Sequence, residues 1–195
     1  MWFENFRKKF KETESIIIPQ TTSELREYIP IGFLNSEIVI SNAARVIYNA
    51  EPWLFALLTS KMHKAWVNSV AGRLETRIQY SNTLCYNTFP FPEINENQKQ
   101  ELEKHTYRVL EEREKYSDKT LAELYDPEKM PQGLREAHHQ LNLAVELCYR
   151  SKPFDSDEER LEYLFKLYEQ MIAEEKTKGT LFEVEAKTKK KTKKK

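Results

Sequence analysis

The run Phe89-Pro90-Phe91-Pro92 divides this chain. Two prolines one residue apart remove two backbone donors and push the residues before them towards extended conformations, so neither a helix nor a sheet runs through. The 195 residues suit one domain or one and a half. Charge follows the same division: net +2 over residues 1–92, −9 over 93–186 and +7 over 187–195, which sum to the formal zero of the whole chain.

Several chemistries are excluded early. Gly32, Gly72, Gly133 and Gly179 lie too far apart to build a phosphate-cradling or dinucleotide loop. Cys85 and Cys148 are too few for a thiolate cage, and no paired His/Cys spacing of a zinc finger occurs. No apolar run reaches the length of a membrane span, and residues 1–11 alternate aromatic and charged types unlike a signal peptide. A reducing cytoplasm, with both thiols free and no membrane partner, is the expected setting.

Ahead of the proline stop the periodicity is mixed. Trp2, Phe3, Phe6 and Phe10 have roughly helical spacing, which predicts a short helical stump over residues 1–15. Residues 16–19, 28–34 and 37–41 read as strands. Pro52 opens a helical stretch, Trp53 to Val70, that should be largely core and breaks near Thr59-Ser60. From Gly72 the period becomes two, and Ser81 to Phe89 is expected to stay extended.

Beyond the stop every local signal is helical. Asn95 can cap a helix to about Tyr116, Leu121 to Tyr125 is a short turn, and Pro131 opens a helix through Tyr149. On that helix Leu134, His138, Leu141, Val145 and Cys148 share a side. Ser156-Asp157-Glu158-Glu159 has the form of a capping box before a last helix, whose Leu161, Leu164, Phe165, Leu167, Tyr168 and Ile172 should face inward. Lys187 to Lys195 cannot pack.

The alternating set Arg73, Glu75, Arg77 and Gln79 is the most informative local feature. In one extended run the four would share a face. An arginine fork suits guanine N7 and O6, glutamine suits adenine N6 and N7, and glutamate accepts from cytosine N4, so such a row can read base edges in a major groove. A solvated strand face with cross-strand ion pairs fits the same spacing. Lys61 and Lys64, with His63 and Asn68 among them, resemble the cationic and polar mixture that positions phosphates, as a solvated helix face also does. His138-His139 lacks a third ligand in register, so a buried or capping histidine is the expectation. Asp126-Pro127-Glu128-Lys129 faintly resembles a nuclease carboxylate-lysine set, but in a proline turn.

Longer motifs carry a family resemblance. The stretches 60–66 (SKMHKAW), 70–75 (VAGRLE) and 80–92 (YSNTLCYNTFPFP) are similar to the carboxy-terminal part of the large single-chain type II restriction-modification DNA methyltransferases of the L and G subtypes. Residues 23–33 (SELREYIPIGF) resemble that family's target recognition domain, and 121–127 (LAELYDP) with Met130-Pro131 its carboxy-terminal helical domain. The resemblance spans about residues 16–175.

Whole enzymes of this kind transfer a methyl group from S-adenosylmethionine to adenine, using a glycine-bearing cofactor motif and an Asn/Asp-Pro-Pro-Tyr/Phe motif that holds the flipped base. This chain has no Pro-Pro pair and no glycine pair, so no catalytic residue, cofactor-binding residue or metal ligand is assigned to it, and the cofactor is expected on a separate catalytic domain or subunit. In similar enzymes the segment matching Glu75 to Gln79 supplies base-reading side chains, and the loop matching Asn42-Ala43 lies on the same DNA. The resemblance implies base readout by Glu75, Arg77 and Gln79, with Ala43 beside them; the alternating polar face adds Arg73, and Lys61, His63, Lys64, Ser81 and Asn82 are the candidate contacts to the DNA backbone. Double-stranded DNA is the implied partner.

The expected fold class is α+β: a helical stump (1–15), a partial β-containing target recognition segment (16–92), an antiparallel helical bundle (93–178) and a disordered Lys-rich tail (179–195). The function expected is the sequence-recognition part of an adenine-specific DNA methyltransferase. A helical protein-interaction module, or a degenerate gene remnant, is the alternative.

Overall fold

The computed structural model describes residues 15–34 and 43–192, with side chains described to Thr177. The predicted stump up to residue 14 and the strand predicted over 37–41 lie outside the described residues; Ser15 opens a strand. The chain is mixed, as expected, with short antiparallel sheets in front and helices behind.

Strands β1 (Ser15–Pro19), β3 (Gly32–Leu34) and β4 (Ala44–Ile47) form one sheet in the order β3-β1-β4. Ile16 and Ile18 alternate inward along β1, the period-2 pattern of a half-buried strand. Strands β2 (Thr21–Ser23), β5 (Gly72–Leu74) and β6 (Arg77–Gln79) form the second sheet in the order β2-β6-β5. Of the segment predicted as a strand over 28–34, only Gly32–Leu34 pairs. Pro30 cannot donate, and Ile31 N–H bonds back to Ile29 at 2.9 Å, so Tyr28, Ile29 and Ile31 anchor the core from an irregular loop instead.

The long apolar stretch is two helices, α1 (Pro52–Thr59) and α2 (Lys61–Val70). They break at Ser60, whose hydroxyl accepts from His63 N–H and caps α2. Residues 82–86, expected to stay extended, instead make a π-helical turn closed by Asn87 N–H on the Asn82 carbonyl at 2.8 Å. The wide turn lets Cys85 reach the core between the buried Tyr80 and Phe89, a geometry that strand alternation cannot provide.

Asn95 caps α3 (Glu96–Glu114) in a full capping box with Gln98. The turn α4 (Leu121–Leu124) and helices α5 (Gln132–Tyr149) and α6 (Asp157–Thr192) follow. At α6 the box is incomplete: Ser156 accepts from Glu159 N–H, but the Glu159 carboxylate takes Asp155 N–H and Arg150. The helical backbone of α6 is assigned to Thr192.

The helical layer is not confined to the second half. Helices α3 and α5 run antiparallel, α1 packs along α3, and α6 lies on α2, where the Trp66 ring is 5.1 Å from Phe165 and 5.4 Å from Tyr168. Phe165, expected inward, covers Trp66 while staying 39 % exposed. Polar bonds cross the same boundary. Arg113 donates to the Ile31 carbonyl at 2.9 Å, and Asn142 accepts from Lys61 N–H at 2.8 Å while donating to the Tyr28 hydroxyl at 3.1 Å. Among the described residues no helix is long and apolar enough to cross a membrane.

Candidate nucleic-acid interface

Residues 72–79 form a hairpin, not one extended run. Strands β5 and β6 pair Gly72 with Gln79, Arg73 with Ile78 and Leu74 with Arg77, and Glu75-Thr76 make the two-residue turn. Directly opposed residues share a face. Arg77 and Gln79 therefore point to one side with Leu74, while Arg73 points to the other with the fully buried Ile78. The expectation of four side chains on one face is thereby corrected, because the chain reverses between the second and third of them.

Arg73 is occupied on its own side. It donates to the Glu24 carboxylate at 2.9 Å and to the Asn68 carbonyl, in the last turn of α2, at 3.1 Å. A cation there complements the negative end of the helix. Its role in this geometry is to hold the hairpin to the scaffold.

Glu75 stands at the tip with φ of 54°, a left-handed conformation that hairpin turns usually give to glycine or asparagine. Its carboxylate meets Arg77 at 3.3 Å, both groups largely in solvent. Gln79 is half-buried on β6, and Ile78 between them anchors the strand to the core. A rigid strand thus carries two outward polar side chains beneath a charged tip.

Strand β2 completes the face and is not among the site residues expected from sequence. Thr21 pairs with Gln79 and Ser23 with Arg77, so both hydroxyls flank the outward side chains of β6. The signal lies in the Thr21-Thr22-Ser23 alternation, since Thr22 is the buried member. Ala43 is exposed near the same place: its carbonyl accepts from Gln20 N–H at 3.0 Å, and the Gln20 carbonyl accepts from Tyr80 N–H at 2.8 Å. One residue thus separates Ala43 from the end of β6, across more than thirty positions of sequence.

The predicted phosphate contacts change more. His63 is buried, its Nε2 on the Tyr80 hydroxyl at 3.0 Å and its ring edge-on to Phe89, and burial lowers its pKa to about 3. It stays neutral and cannot reach a phosphate. Lys64 is also buried, donating to Asn68 Oδ1 at 3.0 Å, with its pKa brought down to about 8 by burial and by Arg73. Lys61 is half-exposed and pairs with Glu27 at 3.1 Å, which Arg135 also holds. Ser81 is half-buried and precedes the π-turn, and Asn82 is exposed at its start. Of the four cations between residues 52 and 92, three are paired locally, Lys61 by Glu27, Arg73 by Glu24 and Arg77 by Glu75.

The weaker sequence candidates resolve structurally. His138 is buried, stacked on Tyr28 at 4.2 Å, with Nε2 accepting from the Tyr125 hydroxyl at 2.6 Å, while that oxygen accepts from Arg113. Asp126 lies in a turn and accepts from Glu128 N–H at 3.0 Å. Among the described residues no cluster of three or more potential metal ligands occurs. Gly133 is a helix-packing position where an added Cβ would lie 2.6 Å from Glu112, and Gly72 belongs to the hairpin.

A family model described as the MmeI target recognition domain matches residues 1–93, and one described as the MmeI C-terminal domain matches residues 94–175. DNA methyltransferase A of Bacillus subtilis (strain 168) is 48 % identical over 168 residues, covering 84 % of this chain and 19 % of that protein. The solved structure of the type IIL restriction-modification enzyme MmeI in complex with DNA matches with a TM-score of 0.80 and 42 % identity, over 83 % of this chain and 22 % of that one. The chain thus spans about a fifth of the length of these relatives. It belongs to the MmeI family of type II restriction-modification methyltransferases and comprises that family's target recognition and C-terminal regions.

Proposed function

We propose that this chain is the DNA sequence-recognition part of an adenine-specific, S-adenosylmethionine-dependent methyltransferase of a restriction-modification system, acting on double-stranded DNA in the cytoplasm. Glu75, Arg77 and Gln79 are its base readers, with Ala43 beside them. Methyl transfer belongs to a catalytic domain or subunit carrying the cofactor and the flipped adenine. The observation that carries the reading is the hairpin tip: Glu75 occupies a positive-φ turn position better suited to glycine, and Arg77 and Gln79 project from a strand pinned by buried Ile78. Backbone strain retained at a solvated tip favours a role for the side chain that sits there. Lys61, Ser81 and Asn82 remain candidates for the duplex backbone, and His63, Lys64 and Arg73 act as support for the reading face.

Selection of duplexes from a random library by the full chain tests this. A preferred site should emerge, and Glu75→Ala and Arg77→Ala should each relax preference at a different base pair, by about 1–3 kcal/mol. Recovery of no preferred site, or equal losses on all sequences, would overturn it.

A further inference from the structure

We propose that Leu74 is a specificity-determining residue, receiving the C5-methyl group of a thymine beside the base pair faced by Arg77. This rests on the reading of the hairpin as a major-groove reader. Six strand positions make up the reading face, in two rows across the sheet: Ser23, Arg77 and Leu74, then Thr21, Gln79 and Gly72. Leu74 is the one apolar side chain larger than a methyl-bearing threonine among them, and it is 45 % exposed.

A single exposed leucine on a protein surface is ordinary. Its position here is not. Strand β5 is the outer strand of its sheet, and an exposed apolar residue on an edge strand invites unwanted pairing, which proteins commonly avoid with lysine or another charge. Leu74 gains no core contact in exchange, because the core side of the hairpin is filled by Ile78 and Thr22. What it has is adjacency to Arg77, directly opposite on the same face, with Cβ atoms expected about 4.5–5.5 Å apart.

The two flanks of β6 also differ in chemistry. On the β2 side Thr21 and Ser23 present hydroxyls, which serve either donors or acceptors on base edges. On the β5 side there is one isobutyl group and, at Gly72, no side chain; a Cβ added there would meet only Gln79 Oε1 at 3.9 Å. A duplex can therefore come close on the β5 side, and the surface it meets next to Arg77 is apolar. The thymine methyl is the apolar group that a major-groove floor offers.

The test uses the full chain and its selected duplex. Each thymine is replaced in turn by deoxyuridine, which removes the methyl group and leaves the pairing edge intact. One replacement, next to the pair whose preference Arg77→Ala relaxes, should weaken binding roughly fourfold, the effect of losing one buried methyl-sized group. Leu74→Ala should bind the two duplexes alike, and Leu74→Val should keep part of the difference. Indifference to deoxyuridine at every position, a site with no thymine beside the Arg77 pair, or a penalty that persists in Leu74→Ala would overturn the assignment of Leu74 while leaving base readout standing. Failure to select any site would remove both.

Discussion

Glu75 and Arg77 meet at 3.3 Å over the hairpin tip, and Glu75 does so from a backbone φ of 54°. With 78 % and 52 % of the two side chains exposed, the pair contributes little to stability, about 0–1 kcal/mol. The left-handed backbone at a residue with a Cβ costs about 1–2 kcal/mol. Asparagine tolerates that conformation better, so Glu75→Asn should leave thermal stability within about 1 kcal/mol of the parent, or above it. The same change should cost about 1–3 kcal/mol of discrimination at one base pair. Parallel calorimetric melts and competition binding separate the two effects; a variant that loses stability and keeps its discrimination contradicts the role given to this carboxylate.

Arg73 should behave differently from its neighbours. Because it holds Glu24 and the Asn68 carbonyl on the core side of the hairpin, Arg73→Ala should lower discrimination at all the base pairs read from the hairpin together, rather than at one of them, and leave binding to unrelated duplexes nearly unchanged. Amide exchange should quicken at residues 72–79, reporting a loosened hairpin. A change of preference at one base pair would instead return Arg73 to the readers.

The alternation at 73, 75, 77 and 79 is legible in the sequence as a polar face but not as a hairpin. Nothing in Leu74-Glu75-Thr76-Arg77 announces a turn: it lacks the Asn-Gly, Asp-Gly or Gly-X pair that marks two-residue loops, and the structure places the turn on Glu75 with a positive φ regardless. Helices are read more easily because their signals are local. Pro52, Ser60 and Asn95 each mark a start by chemistry within four residues. The burial of His63 and Lys64 is hidden for the opposite reason. His63 is covered by Tyr80 and Phe89, and Lys64 lies on a helix against which α6 packs from nearly a hundred residues away, so their exposure depends on contacts that periodicity cannot express.

Burial of the histidines predicts the acid side of the stability curve. His63 is held at a pKa of about 3, below the unfolded value near 6.5, and His138 is shifted in the same direction, both chiefly by desolvation. Between those values the unfolded chain binds more protons than the folded one, so stability is full above about pH 6.5 and falls as pH drops towards 3. From pH 7 to pH 5 His63 alone should remove about 2 kcal/mol. Denaturant titrations at both pH values should show this loss, and His63→Gln, which keeps a polar partner for Tyr80, should reduce it. An unchanged slope in the variant would mean that another group controls the acid limb.

Lys64 offers a contrasting case at alkaline pH. With its pKa lowered to about 8 by burial and Arg73, it binds fewer protons folded than unfolded between about 8 and the ordinary lysine value of 10.5. Its contribution therefore makes stability rise with pH across that window. Lys64→Met should remove this rise. It should also leave the slope of log affinity against log salt unchanged, since a buried ammonium releases no phosphate counterions. A slope smaller by about one would show that Lys64 reaches the backbone of bound DNA after all.

The proline stop divides the sequence more completely than it divides the core. Trp66, in the first half, is fully buried beneath Phe165 and Tyr168 of α6, and its Nε1 donates to Thr88 Oγ1 at 3.2 Å. Phe55 of α1 lies under the Arg113 guanidinium, 5.2 Å from its ring centre, and Tyr28 stacks on His138. Removing residues after Pro92 would expose all three rings at once. Residues 1–93 alone should therefore lack a cooperative unfolding transition, while the full chain should melt in one step with coincident tryptophan fluorescence and circular dichroism. Trp66→Ala in the full chain should lower stability by about 3–5 kcal/mol and loosen the hairpin that follows α2. If residues 1–93 instead folded cooperatively by themselves, the helical region would be an appended module, and the aim of Arg77 and Gln79 would not depend on it.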